Sequence, residues 1–517
     1  MLRWNVEQEG TGAGMEKATW SVCPECLKAI PARRVKADAA VYLEKSCPEH
    51  GSFSTPIWSG VLSFEDWDRA SFKDASACEI DGEVNPENSL SACDCHADCC
   101  PDDCPDGCPT GCIDCTSHEV CPCCVLFEVT QRCNLGCPVC FAGAGESMSG
   151  DPSLETIASW YDSLYEKAGI CHIQLSGGEP TLRHDLDRII RIGREKGFEY
   201  FQLNTNGILL AEDEGLAKRL KDEGLTCVFL QFDAISESAN RALRGADILK
   251  AKKRALDNCA AVNLPVVLVP TLAKGINDEE IMSVIDYGIS RSPIVRGVHF
   301  QPMSFFGRCD VDADRLTIPD VLQLMEDQSS GMIRVSHFSG GTVEQAHCSF
   351  SANYLIDDGG RLQPLGFGAT SSSCCGPVIE QEPSCCAAVT EPEPSCCAVA
   401  AQPKPQPQSK PQPQPSPCCS SPHDAVRRAQ DIQLRRWGTD LDAIPEMRPE
   451  AGSLDEFLWQ TKARGFSITG MAFMDAWTMD FDRLRRCYIF EMDKDGNPIP
   501  FCAYNLSNAK GRGLYRG

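Results

Sequence analysis

Between residues 125 and 303 the chain alternates short apolar runs with longer amphipathic segments. This alternation is typical of repeated βα units that build a parallel sheet. It predicts six strands, near residues 125–129, 172–175, 200–203, 227–232, 265–269 and 298–301. Helices are expected between them, and the first follows Asp151 and Ser153, either of which can cap it. The apolar positions of that helix have helical spacing: Leu154, Ile157, Trp160, Tyr161 and Leu164.

Six βα units joined by right-handed crossovers curl a sheet into an open barrel. The predicted fold class is therefore α/β, with a partial (β/α)6 barrel. The carboxyl ends of parallel strands meet at one edge of such a sheet, so the functional loops are expected there. The residues that follow each predicted strand are thus the first place to look for chemistry.

The composition changes twice outside this region. Residues 78–107 are acidic and rich in cysteine with few apolar side chains, and residues 371–424 are rich in Pro, Gln and Ala and contain four Cys-Cys pairs. Neither stretch has enough apolar surface to build a core. The first is expected to be disordered and the second to form an extended linker. The Cys-Cys pairs can capture soft metals or be a neutral expansion, and no catalytic role is assigned to them.

The net charge of -25 argues against nucleic-acid binding, which requires clustered Lys and Arg. The chemical role of the 33 cysteines depends on the compartment, because thiols form disulfides outside the cell and bind metals inside it. The amino terminus has no apolar h-region, and no apolar run approaches the roughly 20 residues that span a bilayer. The sequence therefore predicts a cytoplasmic protein without a transmembrane segment, whose thiolates bind iron or zinc.

A group of three cysteines directly follows the first predicted strand, in the segment EVTQRCNLGCPVCF. Cys133, Cys137 and Cys140 are spaced as CxxxCxxC, and Phe141 follows them. Three thiolates on one short loop can bind three irons of a 4Fe-4S cluster and leave the fourth iron without a protein ligand. Such an iron can chelate a small molecule. The alternative is a purely structural cluster, or a zinc knuckle that lacks one ligand.

The second predicted strand ends in LSGGEPTLR, which by itself could be an ordinary turn. Located one βα unit after the cysteine loop, it completes a pattern that resembles the radical S-adenosylmethionine (SAM) superfamily. The resemblance implies that the open iron binds the amino and carboxylate groups of SAM. It also implies that Gly177, Gly178, Glu179 and Pro180 form the family's GGEP motif, whose backbone and carboxylate contact the amino group of SAM.

The same resemblance implies the chemistry. An electron from the reduced cluster cleaves the sulfonium bond of SAM and yields methionine and a 5'-deoxyadenosyl radical. That radical abstracts hydrogen from an unreactive carbon, while the barrel orients the reactants and keeps water away. Because a carbon radical needs no general base, no catalytic side chain is predicted.

Polar residues also follow the third and fourth predicted strands. The segments LNTNG and LQFDAIS put amide, hydroxyl and carboxyl groups where they can reach the ribose or carboxylate of SAM. Asn and Asp are also ordinary turn formers at strand ends. Arg244 can either pair with the SAM carboxylate or lie in solvent at a helix end. The predicted SAM contacts in these loops are Asn204, Thr205, Asn206, Gln231, Asp233, Ser236 and Arg244, in addition to Phe141.

A second cysteine group lies upstream of the barrel, in GCPTGCIDCTSHEVCPCC. Four thiolates of this spacing suit a closed 4Fe-4S auxiliary cluster, although zinc fits as well. The neighbours Cys121 and Cys124 leave the fourth ligand open. This segment resembles tetraether lipid synthase and the methanopterin-pathway pterin dimethyltransferase, two radical SAM enzymes. The predicted auxiliary ligands are Cys108, Cys112, Cys115 and Cys123.

The residues near the carboxyl end resemble the same two enzymes, and a TrsS-type (seleno)protein branch is a further possibility. The resemblance suggests a second auxiliary cluster bound by Cys348, Cys487 and Cys502. With three thiolates visible, one ligand is missing, is not cysteine, or is the substrate. Individually these residues can also be buried free cysteines.

A different metal is expected near the amino end, where VCPECLK and KSCPEHGSF contain a CxxC and a CxxH pair. Two such knuckles can surround a tetrahedral ion, and the mixed ligands favour zinc. The alternative is a reduced thiol pair with an exposed histidine. The predicted zinc ligands are Cys23, Cys26, Cys47 and His50.

These features divide the chain into a zinc-ribbon-like element (1–70), an acidic insert (71–107), an auxiliary-cluster segment (108–124), the barrel (125–310), a carboxyl-terminal auxiliary-cluster domain (311–370 and 425–517) and the linker (371–424). The preferred function is C–C bond formation or methyl(ene) transfer on a lipid, pterin or other small molecule. An electron donor such as ferredoxin or flavodoxin is implied. The alternatives are a peptide-modifying radical SAM maturase and a thiol-rich metal-binding protein without enzymatic activity.

Overall fold

The computed structural model describes residues 17–60, 62–67, 121–145, 150–341, 344–365, 422–445 and 447–516. Some of the predictions therefore lie outside the described residues. They concern the acidic insert 71–107, nearly all of the linker 371–424, and the ligands Cys108, Cys112 and Cys115.

The amino-terminal element is a four-stranded antiparallel sheet with its strands in sequential order. Alternate residues of the second and third strands are buried, as expected for a sheet with one covered face. The strands are β1 (Lys17–Val22), β2 (Ala29–Ala37), β3 (Ala40–Cys47) and β4 (Gly51–Ser59).

The remaining strands form a large mixed sheet at the centre of the molecule, apart from two short strands that pair with each other. In chain order the remaining strands are β5 (Cys124–Thr130), β6 (Val139–Cys140), β7 (His172–Gly177), β8 (Phe201–Thr205), β9 (Cys227–Gln231), β10 (Val266–Val269), β11 (Thr271–Leu272), β12 (Val295–Pro302), β13 (Arg308–Cys309), β14 (Ser349–Ile356), β15 (Leu362–Pro364), β16 (Gly465–Met471), β17 (Ile489–Met492) and β18 (Pro498–Pro500).

The barrel consists of six parallel strands in the order β5-β7-β8-β9-β10-β12. These are the six predicted strands, with ends that differ by at most three residues. The α/β class and the partial barrel are thus confirmed. The parallel strands are buried almost throughout, because helices cover the outside of the barrel and its inside is enclosed.

Helices connect and cover the strands. Within the described residues, no helix is both long and apolar enough to cross a bilayer. The helices are α1 (Leu154–Ala168), α2 (Leu186–Glu195), α3 (Ile208–Glu212), α4 (Leu216–Glu223), α5 (Glu237–Arg244), α6 (Leu249–Ala260), α7 (Ile281–Ser290), α8 (Ile318–Gln328), α9 (Pro422–Trp437), α10 (Leu454–Arg464), α11 (Phe481–Leu484) and α12 (Phe501–Tyr504).

The first helix shows how the local sequence determines an element. Ser153, one of the two predicted caps, accepts a hydrogen bond from the backbone N–H of Thr156 and begins α1. Asp151 instead binds Thr130 and Arg132. The predicted apolar stripe faces the core, with Tyr161 fully buried against Phe127 and Phe198.

The residues beyond the barrel add strands to both edges of its sheet. β16 pairs in parallel with β12 and continues into β14 and β15, whereas β17 pairs in parallel with β5 and continues into β18. Both edges of the parallel sheet are thereby hydrogen-bonded instead of open. The carboxyl-terminal region is thus part of the same sheet as the barrel.

One helix closes the barrel at the end opposite its functional loops. Trp437 of α9 packs against Tyr200, Cys227 and Phe229, which lie at or near the amino ends of their strands. Gln433 of the same helix lies 3.0 Å from Nδ1 of His172, the first residue of β7. α9 therefore closes the barrel interior at the amino ends of the strands.

The amino-terminal sheet docks on the carboxyl-terminal region through buried polar contacts. Arg34 donates to both carboxylate oxygens of Asp480, at 2.7 and 2.8 Å, and Thr19 donates to the same carboxylate at 2.9 Å. On the other side, Trp67 donates to the carbonyl of Ala346 at 3.0 Å. These contacts hold the small sheet against the segments that contain the carboxyl-terminal cysteines.

Candidate active site

A cavity of about 240 Å³ runs through the barrel interior. At the carboxyl ends of the strands it is lined by Cys133, Cys137 and Cys140, and at the other end by Gln433 and Trp437 of α9. The predicted cysteine loop and the closed end of the barrel thus belong to one continuous space.

The cysteine loop follows β5 and is held in place by backbone contacts. Arg308 donates to the carbonyls of Cys137, at 2.6 Å, and of Ala144, at 3.0 Å. Burial raises the pKa of Cys133 to about 11 and raises that of Cys137 as well. Three thiols therefore converge on one end of the cavity from a braced loop, as a three-cysteine cluster requires.

The two glycines of GGEP allow backbone to pack on backbone. A Cβ atom on Gly177 would lie 2.2 Å from the carbonyl oxygen of Thr130, and one on Gly178 would lie 2.2 Å from that of Arg132. Gly177 also has a φ of +117°, which favours glycine. Both glycines thus let the end of β7 lie directly against the start of the cysteine loop, and both line the cavity.

Glu179 connects two of the functional loops. Its Oε1 accepts bonds from the backbone and hydroxyl of Thr181 and from the hydroxyl of Thr205, whereas Oε2 accepts one bond, of 2.8 Å, from the backbone N–H of Asn206. The side chain is fully buried, and this burial raises its pKa. Because Oε2 has the fewer partners, it is the oxygen with room for a further donor.

Asn206 extends this connection to the cysteine loop. Its amide nitrogen donates to Oδ1 of Asn134, which lies between the first two cysteines, at 2.7 Å. The loops after β5, β7 and β8 are thus tied together through Asn134, Asn206 and Glu179.

Arg244 is a buried part of this edge of the barrel. It pairs with Asp233 at 2.6 and 2.8 Å and donates to the carbonyl of Val139, inside the cysteine loop, at 3.0 Å. Burial opposes ionisation of Asp233, but Arg244 and Lys252 outweigh it and lower the pKa of that carboxyl. The alternative of a solvated Arg244 at a helix end is wrong, because the Asp233 pair and Val139 hold it inside.

The other predicted contacts divide into two groups. Phe141, Asn204, Thr205 and Gln231 line the cavity. The remaining two do not: Pro180 begins a short 3-10 turn, and Ser236 caps α5 and hydrogen-bonds Glu280.

The half of the cavity near α9 is polar but uncharged, and it was not foreseen from the sequence. A chain of amides runs across it, from Gln202 to Asn204 at 2.7 Å and from Asn204 to Gln174 at 3.3 Å. Burial lowers the pKa of His299 to about 4, so this side chain is neutral at pH 7. Glu179 and Arg244, the acidic and basic side chains of the described lining, lie at the cysteine-loop end.

Arg516 braces the cysteine loop from outside. It donates to Glu128 of β5 at 2.5 and 2.9 Å and to Glu491 of β17 at 2.9 Å, and it lies over the ring of Phe141. Glu491 is fully buried, and burial together with the neighbouring Glu128 raises its pKa. One arginine thus links the strand before the cysteine loop to an added edge strand.

The four predicted zinc ligands come together in the amino-terminal sheet. One ligand atom from each of Cys23, Cys26, Cys47 and His50 lies within 4.8 Å of the others. Nδ1 of His50 is 3.6 Å from the sulfur of Cys23 and 3.4 Å from that of Cys47. Ligands about 2.0–2.3 Å from a tetrahedral zinc lie at such separations. The hydrogen bond from His50 lowers the pKa of Cys47 to about 6, which favours the metal-binding thiolate.

Replacing Cys47 with serine is expected to release zinc, since a hydroxyl is a poor ligand for this ion. We expect about one equivalent of zinc per wild-type chain and about none in the variant, measured by mass spectrometry of metals after dialysis. Cys171→Ser is the control, because Cys171 is a buried thiol directly before β7 of the barrel and lies outside the four-ligand group. Equal zinc content in both variants would contradict this assignment.

The three carboxyl-terminal cysteines lie near one another and near one arginine. The pKa of each thiol is raised, first of all by burial. Arg483 donates to the sulfur of Cys348 at 3.4 Å, and its Nε has no hydrogen-bond partner among the described residues. A buried guanidinium that interacts with Cys348 and Cys502 suits negatively charged sulfur ligands. Of the upstream group, Cys123 is buried with its N–H bonded to the carbonyl of Tyr488.

Comparison with known proteins agrees with this arrangement. A family model for the radical SAM superfamily matches residues 127–288, and a model for the HMPTM N-terminal zinc ribbon domain matches residues 15–59. The 7,8-dihydro-6-hydroxymethylpterin dimethyltransferase of Methanocaldococcus jannaschii is 32% identical, with 95% of this chain and 94% of that protein covered.

More distant similarities cover the barrel region. The GTP 3',8-cyclase of Sulfurimonas denitrificans is 27% identical over 46% of this chain and 72% of its own length. The crystal structure of Streptococcus suis SuiB bound to S-adenosylmethionine has a TM-score of 0.35 and 16% identity, over 41% of this chain and 48% of that one. With the cysteine loop, the GGEP motif and the near full-length relative taken together, the chain belongs to the radical SAM superfamily, in the family of 7,8-dihydro-6-hydroxymethylpterin dimethyltransferase.

Proposed function

We propose that Cys133, Cys137 and Cys140 bind the 4Fe-4S cluster and that SAM lies beside them, against the loops after β7 and β8. The residues fit these groups, because three thiols meet at an open end of the cavity and one oxygen of Glu179 has room for an ammonium donor. Bound there, cluster and SAM supply a 5'-deoxyadenosyl radical by one-electron cleavage of the sulfonium bond.

The side chains around this end position the reactants. In this proposal, Oε2 of Glu179 accepts a hydrogen bond from the SAM ammonium, and Gly177 and Gly178 present the backbone around it. Arg244 holds the cysteine loop through the carbonyl of Val139. No side chain has to move a proton, since the substrate loses a hydrogen atom.

The proposed substrate is a dihydropterin that receives methyl groups. The near full-length similarity to a 7,8-dihydro-6-hydroxymethylpterin dimethyltransferase carries this proposal. The uncharged half of the cavity supports it, since Gln174, Gln202 and Asn204 offer the donors and acceptors that a pterin ring system matches. Phe229 and Trp437 offer aromatic surfaces for a flat ring.

The proposal includes further metal centres and an electron source. Cys348, Cys487 and Cys502 would bind an auxiliary cluster beside Arg483, and Cys123 would contribute to a second one. The four ligands of the amino-terminal sheet would bind zinc. A protein of the ferredoxin or flavodoxin type would provide the electron for each SAM cleavage.

Anaerobic incubation of the reconstituted protein with 7,8-dihydro-6-hydroxymethylpterin, dithionite and excess SAM, with and without a reduced folate that carries a one-carbon unit, tests the function. The transferred methyl group must come either from a second SAM or from such a donor, so both mixtures are compared. The expected products, separated by liquid chromatography and identified by mass, are 5'-deoxyadenosine and a pterin that carries one or two added methyl groups. Deoxyadenosine with an unchanged pterin would contradict the proposed substrate but not the SAM chemistry.

Replacing Gln202 with leucine tests where the pterin binds. Gln202 is buried and lines the uncharged half of the cavity, so its loss removes hydrogen bonds to the ring. We expect the KM for the pterin to rise about tenfold, with substrate-free SAM cleavage unchanged. Gln323→Leu on the exposed side of α8 is the control and should leave both values unchanged. A KM that is equal in the two variants would exclude this half of the cavity as the pterin-binding site.

A further inference from the structure

The two faces of α9 differ in character. Its inner face packs on the barrel, with Val426 and Trp437 buried and Gln430 and Gln433 hydrogen-bonded to the residues beneath. These four positions follow helical spacing along the whole helix. The outer face therefore consists of the exposed positions between them, which are Arg427, Arg428, Asp431, Ile432, Leu434 and Arg435.

The outer face is basic with exposed apolar side chains at its centre. Arg427, Arg428 and Arg435 are exposed. Ile432 and Leu434 are 51% and 40% exposed, and Asp431 is the acidic residue among them. Arg428, Ile432 and Arg435 are separated by four and three residues, so they share one line along the helix. Arginine is enriched at protein interfaces relative to the rest of the surface.

This face contrasts with the chain as a whole, whose net charge is -25. An acidic partner would be repelled by most of the surface and attracted locally by the arginines. The partner that the proposed function requires is a one-electron carrier. Resting on that function, we propose that the outer face of α9 is the docking surface for an acidic electron-transfer protein of the flavodoxin type.

The position of α9 beside the upstream cysteines supports this role. Gln430 donates to the carbonyl of Cys123 at 3.2 Å, and Val426 packs in one cluster with Cys123 and Tyr488. Cys123 immediately precedes β5, which leads to the cysteine loop. An auxiliary cluster held in part by Cys123 would take up an electron delivered here. The carrier would lose one electron, the cluster held by Cys133, Cys137 and Cys140 would gain one, and no bond would form at the surface.

A pair of charge reversals tests the surface. Arg427→Glu with Arg435→Glu changes the charge of α9, whereas Lys250→Glu with Lys253→Glu makes the same change on exposed positions of α6. The two variants have equal net charge, so only the location differs. Two quantities are measured on the full chain: the affinity for an acidic flavodoxin by biolayer interferometry, and 5'-deoxyadenosine formation driven by either reduced flavodoxin or dithionite.

The α9 variant is expected to bind flavodoxin about tenfold or more weakly and to lose flavodoxin-driven cleavage in proportion, while dithionite-driven cleavage stays unchanged. Rising salt should weaken the wild type and the α6 variant alike, and the α9 variant less. Unchanged affinity in the α9 variant, equal weakening in both variants, or tighter binding after the reversal would overturn the proposal. Failure of dithionite-driven cleavage in the wild type would instead contradict the proposed function. The two failures can be told apart, because the affinity for flavodoxin is measured without SAM cleavage.

Discussion

Replacing Cys140 with alanine is expected to abolish 5'-deoxyadenosine formation, to below about one hundredth of the wild-type rate. The proposed cluster depends on three thiolates, and two cannot hold the same set of irons with one iron open to SAM. Iron per reconstituted chain should fall by about four, and the absorbance and electron paramagnetic resonance of the SAM-bound reduced cluster should disappear.

The matched control is Cys309→Ala. Cys309 lies on β13, which pairs with β6, so its backbone is opposite Val139 in the same two-stranded sheet as Cys140. It is next to the cysteine loop but outside the proposed ligand set. The control should retain both iron and turnover. Deoxyadenosine formation that survives in the Cys140 variant would place the SAM site elsewhere.

Replacing Asp233 with asparagine is expected to destabilise the fold by about 3–5 kcal/mol. The change leaves Arg244 and Lys252 as two buried positive charges without their shared carboxylate. Because Arg244 also holds the carbonyl of Val139, the cysteine loop should lose order with it. Denaturant unfolding of the apoprotein, followed by circular dichroism, measures the change.

An exposed ion pair serves as the comparison. Asp257 pairs with Arg291 at the surface, and Asp257→Asn should alter the free energy of unfolding by no more than about 1 kcal/mol. If both variants unfolded at the same denaturant concentration, the buried network around Asp233 would not contribute as described.

The barrel and its chemistry could be predicted from the sequence because both have strong local signals. Buried parallel strands are apolar runs, and three closely spaced cysteines at a strand end are typical of a loop that binds a cluster. The membership of the radical SAM superfamily, and the enzyme class, were predicted in this way and are confirmed.

Other features could not be predicted, since they depend on residues distant in the sequence. The role of GGEP is one example. The resemblance implied that the backbone of this motif contacts SAM, whereas Gly177 and Gly178 also face the backbone of Thr130 and Arg132. The state of Arg244 could not be decided from the sequence either, because it depends on the contacts that Arg244 makes with Asp233 and with the distant carbonyl of Val139.

The helix that closes the cavity, α9, is the clearest feature that was not predicted from the sequence. α9 begins at Pro422, far from the strands that it covers, and the prediction from composition assigned its first residues to the linker. Val426 and Trp437 are the apolar members of the packed face, whereas Gln430 and Gln433 between them are polar. The apolar Ile432 and Leu434 are exposed, so the apolar spacing did not indicate the packed face. Nor could any local pattern indicate that this face covers the barrel.

The added edge strands have a consequence for biosynthesis. Arg516 and Glu128 are 388 residues apart, and β17 pairs with β5 across a similar interval. On a ribosome, the strand before the cysteine loop is therefore made long before its partners emerge, and contacts of such high order form slowly. We expect the nascent barrel to remain open at this edge until β17 and Arg516 have been synthesised, which leaves the thiols accessible to iron delivery before the edge closes.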